Sequence, residues 1–395
     1  CSGLAGSLSS ILWGSLADQI DRRLLLSFTT AFLGVVTLST CAASSFSELL
    51  FLQMLTGFFV AATTPVTQSL ISESVDVSQR GSAFSLMGVS SGMSASIAAS
   101  LAGAFHWRMA YCIMGIMTLI ISLVISQLLP ASSHAQLKLD DRSLYAVICS
   151  ELEDVSRIFG IATFKALLFG GIVGCIPWNA LHFFMLYLQN VGFDAGHAAS
   201  LMTCMAAGKI IGSFLGGNLG DAMARKWPHH GRACLAQISI LLGMASLSWL
   251  LLGASRSNPS FKSFAAGTFV FGLTAVWANP GVDRPLWSEL VPSRCHGKII
   301  AWWFAVAASF GCVFGGPAVG WMSVNLLGYH PGSSAGNSGN ADALAKAITL
   351  CTMAPWTLCF LCYSAIHLTY PSDRQRLNLS HCGTPLVQAG VEKVA

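Results

Sequence analysis

Two ionisable side chains interrupt apolar stretches of the chain at positions where they could bind a charged solute or carry a proton. Lys209 lies within the stretch 197–220, where a lysine either faces an internal cavity or extends its long stem to the nearer end of the helix. His182 lies within the stretch 164–188, and because histidine titrates near neutral pH it either transfers protons or hydrogen-bonds a neighbouring helix. Both residues are therefore candidates for a substrate or coupling site.

A second group of polar residues lies in the stretch 264–288, where two prolines and a glycine predict an interrupted helix. Asp283 and Arg284 in this stretch either pair with groups on neighbouring helices or mark its inner end. With polar residues from two other stretches, the remaining candidates for the substrate or coupling site are Gln53, Asn179, Trp277, Asn279, Asp283 and Arg284.

The composition indicates that these residues belong to a membrane protein. Of the 395 residues, 54% are apolar and only 10% are charged, whereas soluble proteins carry about 25% charged residues. The net charge of +4 comes with no basic block among aromatic residues, so we expect no nucleic-acid partner. The 13 cysteines have no metal-type spacing, and the chain has no motif of a hydrolase, a metalloprotease or a nucleotide-driven pump. We therefore expect no metal, no cofactor and no enzymatic activity.

The apolar stretches are each long enough to cross a bilayer as one helix of about 20 residues. We predict eleven spans, at 1–16, 24–44, 48–72, 81–104, 109–129, 164–188, 197–220, 233–253, 264–288, 298–326 and 343–368.

These spans divide the chain into four regions. They are an N-terminal helical half at 1–129, a cytoplasmic linker at 130–163, a C-terminal helical half at 164–368 and a cytoplasmic tail at 369–395. Most Lys and Arg residues outside the spans lie on the same side as residues 14–23, and the positive-inside rule makes that side cytoplasmic. The sequence thus predicts an integral, multi-pass membrane protein embedded in a lipid bilayer.

One polar segment occurs twice with the same spacing. GSLADQIDRR at 14–23 joins the first two spans, and GNLGDAMARK at 217–226 follows the span that contains Lys209. A glycine at a helix end permits close approach of a second helix, an aspartate can meet a helix N-terminus or an arginine, and a basic pair prefers the cytoplasmic face. We therefore expect a charged contact between helices at both copies.

The two copies resemble the signature loop of the major facilitator superfamily, which joins the second and third helices of that family and recurs between the eighth and ninth. The second glycine of the family pattern is replaced by Asp21 in the first copy and by Ala224 in the second. The resemblance implies an all-α membrane protein with the major facilitator fold, built from two pseudo-symmetric six-helix halves. Because the chain opens inside an apolar segment, eleven spans are expected and the first helix is missing.

The resemblance also implies a cytoplasmic gate in each half, formed by the signature loop and by a carboxylate and an arginine that follow the fourth and tenth helices. The alternative is that these residues are solvated loop charges, because single exposed ion pairs contribute little. The implied gate residues are Gly14, Asp18, Arg22, Arg23, Glu73 and Arg80 in the first half and Gly217, Asp221, Arg225, Lys226, Glu289 and Arg294 in the second.

Two short segments, 285–294 and 315–320, are similar to the Spinster-like eukaryotic branch of the superfamily. This resemblance implies a secondary active or facilitative transporter that moves a small organic or amphipathic solute by alternating access. It further implies a monomer that works with or without a coupling proton or ion. The alternative function is a transporter-like sensor or scaffold that does not transport.

Overall fold

The computed structural model describes residues 2–75, 80–129, 156–254, 259–291, 296–332 and 337–382. This part of the chain is almost entirely helical and contains no strand. Its long helices are α1 (Ser2–Gln19), α2 (Arg22–Ala42), α3 (Phe46–Ser74), α4 (Arg80–Ala104), α5 (Trp107–Leu128), α6 (Ala162–Ala180, Leu181–Phe183 and Phe184–Val191), α7 (Ala195–Lys226), α8 (Gly231–Ser248 and Trp249–Gly253), α9 (Phe261–Thr274, Asn279–Asp283 and Arg284–Leu290), α10 (His296–Trp303, Phe304–Ala308, Ser309–Phe314 and Gly316–Asn325) and α11 (Ser338–Cys382).

Each predicted span corresponds to one of these helices, so the prediction of an all-α membrane protein is confirmed. Nine helices of the described chain are long and apolar enough to cross a membrane, and the exceptions are α1 and α4. Both exceptions are rich in serine and glycine, and both pack against helices from the C-terminal part of the chain. Their composition therefore reflects contact with protein on one side and lipid on the other.

Side-chain caps fix helix ends that hydrophobic periodicity could not locate. The Ser45 hydroxyl accepts a 3.2 Å hydrogen bond from the Glu48 amide while the Glu48 carboxylate accepts one from the Ser45 amide, and this capping box starts α3. Asp194 caps α7 by accepting a 2.7 Å hydrogen bond from the His197 amide. That hydrogen bond lowers the pKa of the exposed Asp194 carboxyl.

The two copies of the repeated segment differ in backbone structure. In the first copy α1 ends, and Asp21 caps α2 by accepting a 2.9 Å hydrogen bond from the Arg23 amide. In the second copy α7 continues through Ala224 to Lys226, and the turn follows at 227–230, which contains a proline. The two replacements of the family glycine thus have different roles, a helix cap in one copy and a helix interior in the other.

Helices α7 and α9 touch through their backbones along a stripe of glycines. Glycines recur at every fourth position of α7 and so lie on one face of the helix. A Cβ atom at any of them would collide with α9. The glycines are Gly208, Gly212, Gly216 and Gly220, and they lie against Phe269, Leu273, Trp277 and Gly281 respectively. No side-chain layer separates the two helices here.

Helices α1–α5 pack with one another and α6–α11 do the same. The main contacts between these sets are those of α1 with α10 and of α4 with α7, and smaller ones join α3 to α10 and α4 to α9. Helix α1 packs against α10, where the Ser7 and Ser309 hydroxyls are 2.7 Å apart. Helix α4 packs against α7, where Gly92 lies against Ile210. The predicted domain limits stay predictions, because the linker residues 130–155 lie outside the described chain.

Candidate functional site

The irregular backbone of α9 positions the polar groups of a central cavity. The first helical segment of α9 ends at Thr274, and after a turn the chain forms a π-helical segment at Asn279–Asp283 before the helix resumes at Arg284. Proline at 280 has no amide hydrogen for an intrahelical bond, which accounts for the irregular segment. Asn279, Asp283 and Arg284 all line the cavity that α9 borders.

The cavity has a volume of about 430 Å³ and is bordered mainly by α6–α11, with α4 closing one side. Three glycines of α6, at 170, 171 and 174, leave space for it. Its walls combine charged groups with aromatic rings: Lys209, Asp283 and Arg284 provide the charges, and Trp178, Trp303, Phe304 and Trp356 provide the rings. Such a volume with few polar groups among apolar walls is typical of small-molecule sites.

Lys209 of α7 borders this cavity instead of extending to the end of the helix. Its Nζ atom lies 4.8 Å from the centre of the Trp178 ring, a cation–π contact. Within the described chain Lys209 makes no hydrogen bond and no ion pair. A lysine ammonium without a carboxylate partner in an apolar surrounding favours binding of an anion.

Asp283 is buried, with 8% of its surface exposed, and its partner is a tyrosine that sequence reasoning missed. The Tyr363 hydroxyl of α11 donates a 2.7 Å hydrogen bond to Asp283 Oδ1. Among the described residues Asp283 makes no ion pair with Lys209 or with its neighbour Arg284. The carboxyl group therefore has a neutral hydrogen-bond donor and no cation in contact.

Arg284 reaches across the cavity to the N-terminal set of helices. Its Nη1 atom donates to the Phe84 carbonyl of α4 at 3.3 Å and lies 3.6 Å from the Met87 sulfur. Within the described chain, the Nε atom of Arg284 and the Oδ1 atom of Asn279 are buried without a hydrogen-bond partner. Unpartnered buried polar atoms are uncommon in proteins, so these two atoms are candidates for contact with a bound solute.

Four predicted candidates lie away from the cavity. His182 is exposed within the 3₁₀ turn of α6, and Gln53 of α3 donates a 3.2 Å hydrogen bond to the Tyr111 hydroxyl of α5. Asn179 donates to the Cys175 carbonyl and lies where α6 meets the glycines of α10. Trp277 packs on the glycine stripe of α7, and its Nε1 atom has no hydrogen-bond partner.

The first copy of the repeated segment is described only in part. Gly14 is buried, Arg22 is partly buried, and the Arg23 guanidinium donates a short hydrogen bond to the Ser126 carbonyl near the end of α5. This contact ties the start of α2 to α5. The side chains of the other predicted gate residues of the first half, Asp18, Glu73 and Arg80, lie outside the described part of the structure.

At the second copy the charged contact is centred on Arg232 of α8, which sequence reasoning had not selected. Its Nη2 atom lies 3.3 Å from Asp221 Oδ1 and 3.2 Å from Glu289 Oε1. Its Nη1 atom donates a 2.7 Å hydrogen bond to the carbonyl of Gly281 in the π-helical segment of α9. Glu289 also accepts a short hydrogen bond from the Tyr370 hydroxyl of α11. Arg232 thus joins α7, α8, α9 and, through Glu289, α11.

The remaining gate candidates of the second half surround this cluster. Arg225 is exposed and makes no ion pair within the described chain, whereas the Lys226 ammonium lies 5.1 Å from the Trp227 ring. Gly217 is buried inside α7. Arg294 lies outside the described residues. Arg232 therefore makes the contacts with Asp221 and Glu289 that the resemblance to the superfamily implied for Arg225.

Comparison with known proteins agrees with this architecture. The family described as the Major Facilitator Superfamily matches residues 1–316 of the chain. The chain belongs to the Major Facilitator Superfamily. As a member it is an integral multi-pass membrane protein.

A curated relative of this superfamily member is the 3-(3-hydroxy-phenyl)propionate transporter of Escherichia coli K12. The two sequences are 28% identical over 277 residues, which are 69% of this chain and 65% of the relative. The chain thus spans just under two thirds of that relative's length.

Two solved structures of the superfamily have a similar fold. A bacterial homologue of the human lysosomal transporter Spinster, in an inward-facing and unoccupied conformation, has a TM-score of 0.65 at 17% identity over 95% of this chain and 91% of that one. The human organic anion transporter MFSD10 has a TM-score of 0.60 at 16% identity over 91% and 82% of the two chains. The predicted Spinster-like resemblance is thus supported at the level of fold.

Proposed function

We propose that this protein is a secondary transporter that moves a small organic anion, with an aromatic carboxylate as the preferred class, across a membrane by alternating access. The observation that carries the proposal is the charge balance of the cavity. Its described wall has two cations, Lys209 and Arg284, and one carboxyl group, which already accepts a hydrogen bond from Tyr363. An anionic solute would supply the missing negative charge.

The aromatic part of the proposed substrate is supported by the remaining wall. The Trp178 ring borders the ammonium of Lys209 and packs edge-to-face against Trp356, with 6.1 Å between ring centroids, so aromatic side chains line this part of the cavity. A ring that packs against these side chains would place its carboxylate among the cations. The curated relative at 28% identity is a 3-(3-hydroxy-phenyl)propionate transporter, which supports this choice.

Several contacts between the helix sets support an alternating-access mechanism. Helix α1 meets α10 and helix α4 meets α7 and α9, and α4 closes one side of a cavity that is otherwise formed by α6–α11. Rocking of one set against the other would open the cavity to one side at a time. A monomer is sufficient for this mechanism, because the described wall comes from one chain.

Asp283 is the group that we assign to a coupling proton. It is buried and has no cation in contact within the described chain, and its bond to Tyr363 is one that either protonation state of the carboxyl can make. A proton taken up by Asp283 would accompany the anion and offset part of its charge.

Uptake into proteoliposomes tests this function. Radiolabelled 3-phenylpropionate should accumulate in a saturable manner, faster when the outside is more acidic, and other aromatic carboxylates should compete. The alcohol 3-phenylpropanol has a similar shape and no charge, so it should not compete. Equal competition by the alcohol would contradict anion recognition, and the absence of saturable uptake of any organic anion would favour the sensor or scaffold alternative.

A further inference from the structure

The contact between Arg284 of α9 and Phe84 of α4 joins the two sets of helices at the border of the cavity. The guanidinium donates to the Phe84 carbonyl at 3.3 Å, and its central carbon lies 6.0 Å from the centre of the Phe84 ring. Phe84 is only 3% exposed and does not line the cavity, whereas Arg284 does. A single side chain therefore both borders the ligand space and holds the N-terminal helices to the C-terminal ones.

The partners of this guanidinium are weak ones for an arginine. A backbone carbonyl at 3.3 Å and a thioether at 3.6 Å are neutral acceptors, and both distances exceed those of charge-assisted hydrogen bonds, about 2.7–2.9 Å. The Nε atom is buried and has no hydrogen-bond partner among the residues that the structure describes. The forked geometry of a guanidinium lets Nε and one Nη atom donate together to the two oxygens of a carboxylate.

We propose that Arg284 is the residue through which ligand binding releases the contact between α4 and α9. A carboxylate in the cavity takes both Nε and Nη of Arg284, and the guanidinium leaves the Phe84 carbonyl and the Phe84 ring. The α4–α9 contact then loses its hydrogen bond, which makes separation of the helix sets less costly. This inference rests on the proposed transport of an organic anion, and it names the residue that links occupancy of the site to movement.

The Phe84 carbonyl and the carboxylate of the ligand compete for Arg284, and the stronger of the two bonds determines whether Arg284 stays on α4 or leaves it. A bidentate bond to a carboxylate is charge-assisted, and in a poorly solvated cavity it is stronger than a bond to a neutral carbonyl. The neighbouring Asp283 accepts a hydrogen bond from Tyr363 through Oδ1 and makes no ion pair with Arg284 among the described residues. An empty cavity leaves Arg284 on α4, and an occupied cavity removes it.

Binding measurements on the full chain test the competition with 3-phenylpropionate as the probe. Because the α4 contact draws Arg284 away from the ligand, weakening that contact should strengthen binding. Phe84→Leu removes the ring but keeps the carbonyl, and it should tighten probe binding about threefold although residue 84 is outside the cavity. Unchanged or weaker binding by this variant would overturn the inference.

Hydrogen exchange of α4 tests the release itself. In the wild type, saturating 3-phenylpropionate should increase amide exchange in the peptide that covers residues 83–91. Arg284→Lys keeps the charge but loses the forked donor pair, so it should bind the probe at least about tenfold more weakly and show no increase in exchange at saturation. If Arg284→Lys does not fold, the wild-type exchange and the Phe84→Leu affinity still decide the question.

The outcomes separate this inference from the proposed function. If the wild type binds the probe but exchange in α4 stays constant or decreases, the release by Arg284 is wrong and anion transport stands. If the wild type binds 3-phenylpropanol as well as it binds 3-phenylpropionate, anion recognition is wrong and the inference fails with it.

Discussion

Lys209 and Arg284 are both cations of the cavity, yet their surroundings give them different tasks. Lys209 rests on the Trp178 ring and makes no polar contact within the described chain, so it is available to any anion that enters. Arg284 already has contacts on another helix and must leave them to bind. Lys209 therefore contributes to affinity alone, whereas Arg284 contributes to affinity and to movement.

Lys209→Met tests the first of these tasks. Because a charged hydrogen bond in a protected site contributes about 1.5–3 kcal/mol, the variant should bind 3-phenylpropionate about 10- to 100-fold more weakly. Removal of an unpaired cation from an apolar wall should leave the melting temperature unchanged or raise it. The measurements are calorimetric titration and a thermal melt of the purified protein.

Lys262 provides the matched control for this substitution, because it is exposed near the start of α9. Lys262→Met should bind the probe as the wild type does. If Lys209→Met binds the probe as tightly as the wild type does, Lys209 is not part of the site. If Lys209→Met is much less stable than the wild type, the role of Lys209 is structural.

The candidate site could be predicted from the sequence only where its members carry charge. Lys209, Asp283 and Arg284 stand out because charges in apolar stretches are costly. Trp178 and Tyr363 give no comparable signal, since aromatic residues are ordinary in membrane helices. Arg232 was counted among loop charges, because its contacts depend on how four helices meet and no spacing along the chain encodes that.

At the scale of helices, the long apolar stretches predict each helix, whereas the residues at which a helix begins and ends depend on capping side chains. The start of α3 is set by Ser45 and Glu48, and α7 continues through the second copy of the repeat because nothing in it breaks a helix. The division of the chain into helices follows from hydropathy. The pairing of α7 with α9 follows from a glycine stripe whose partner helix the sequence does not specify.

Gly212→Ala tests the packing of α7 on α9. The added methyl would collide with the Leu273 carbonyl, so we expect the free energy of unfolding to fall by about 1–3 kcal/mol despite the better helix propensity of alanine. Gly320→Ala is the control, since a methyl there would meet its nearest neighbour, Phe183, at 3.6 Å. Equal melting temperatures for the two variants would contradict the backbone contact.

At the scale of the whole molecule, the α1–α10 contact is one of those that must open for the helix sets to separate. A Cβ atom at Gly3 would lie 2.7 Å from the Cys312 sulfur, so Gly3→Cys brings two thiols within reach of a disulfide. Oxidation should then hold α1 and α10 together and reduce uptake more than about tenfold. A reductant should restore it.

Two variants control for nonspecific oxidation. One is the single variant Gly3→Ser, and the other is the double variant with Gly3→Cys and Cys312→Ser. Neither can form the disulfide, so each should show the same uptake before and after treatment with the oxidant. Full uptake by protein that is shown by mass spectrometry to carry the 3–312 disulfide would mean that α1 and α10 do not separate during transport.

The backbone contact between α7 and α9 also has a thermodynamic consequence. Lys209 belongs to α7 and Arg284 to α9, and with no side-chain layer between these helices they move as one body. The Cα atoms of Lys209 and Arg284 therefore keep the same spacing whichever side of the membrane the cavity faces. Lys209 then contributes equally to binding from both sides, and the direction of net transport is determined by the gradients of solute and proton.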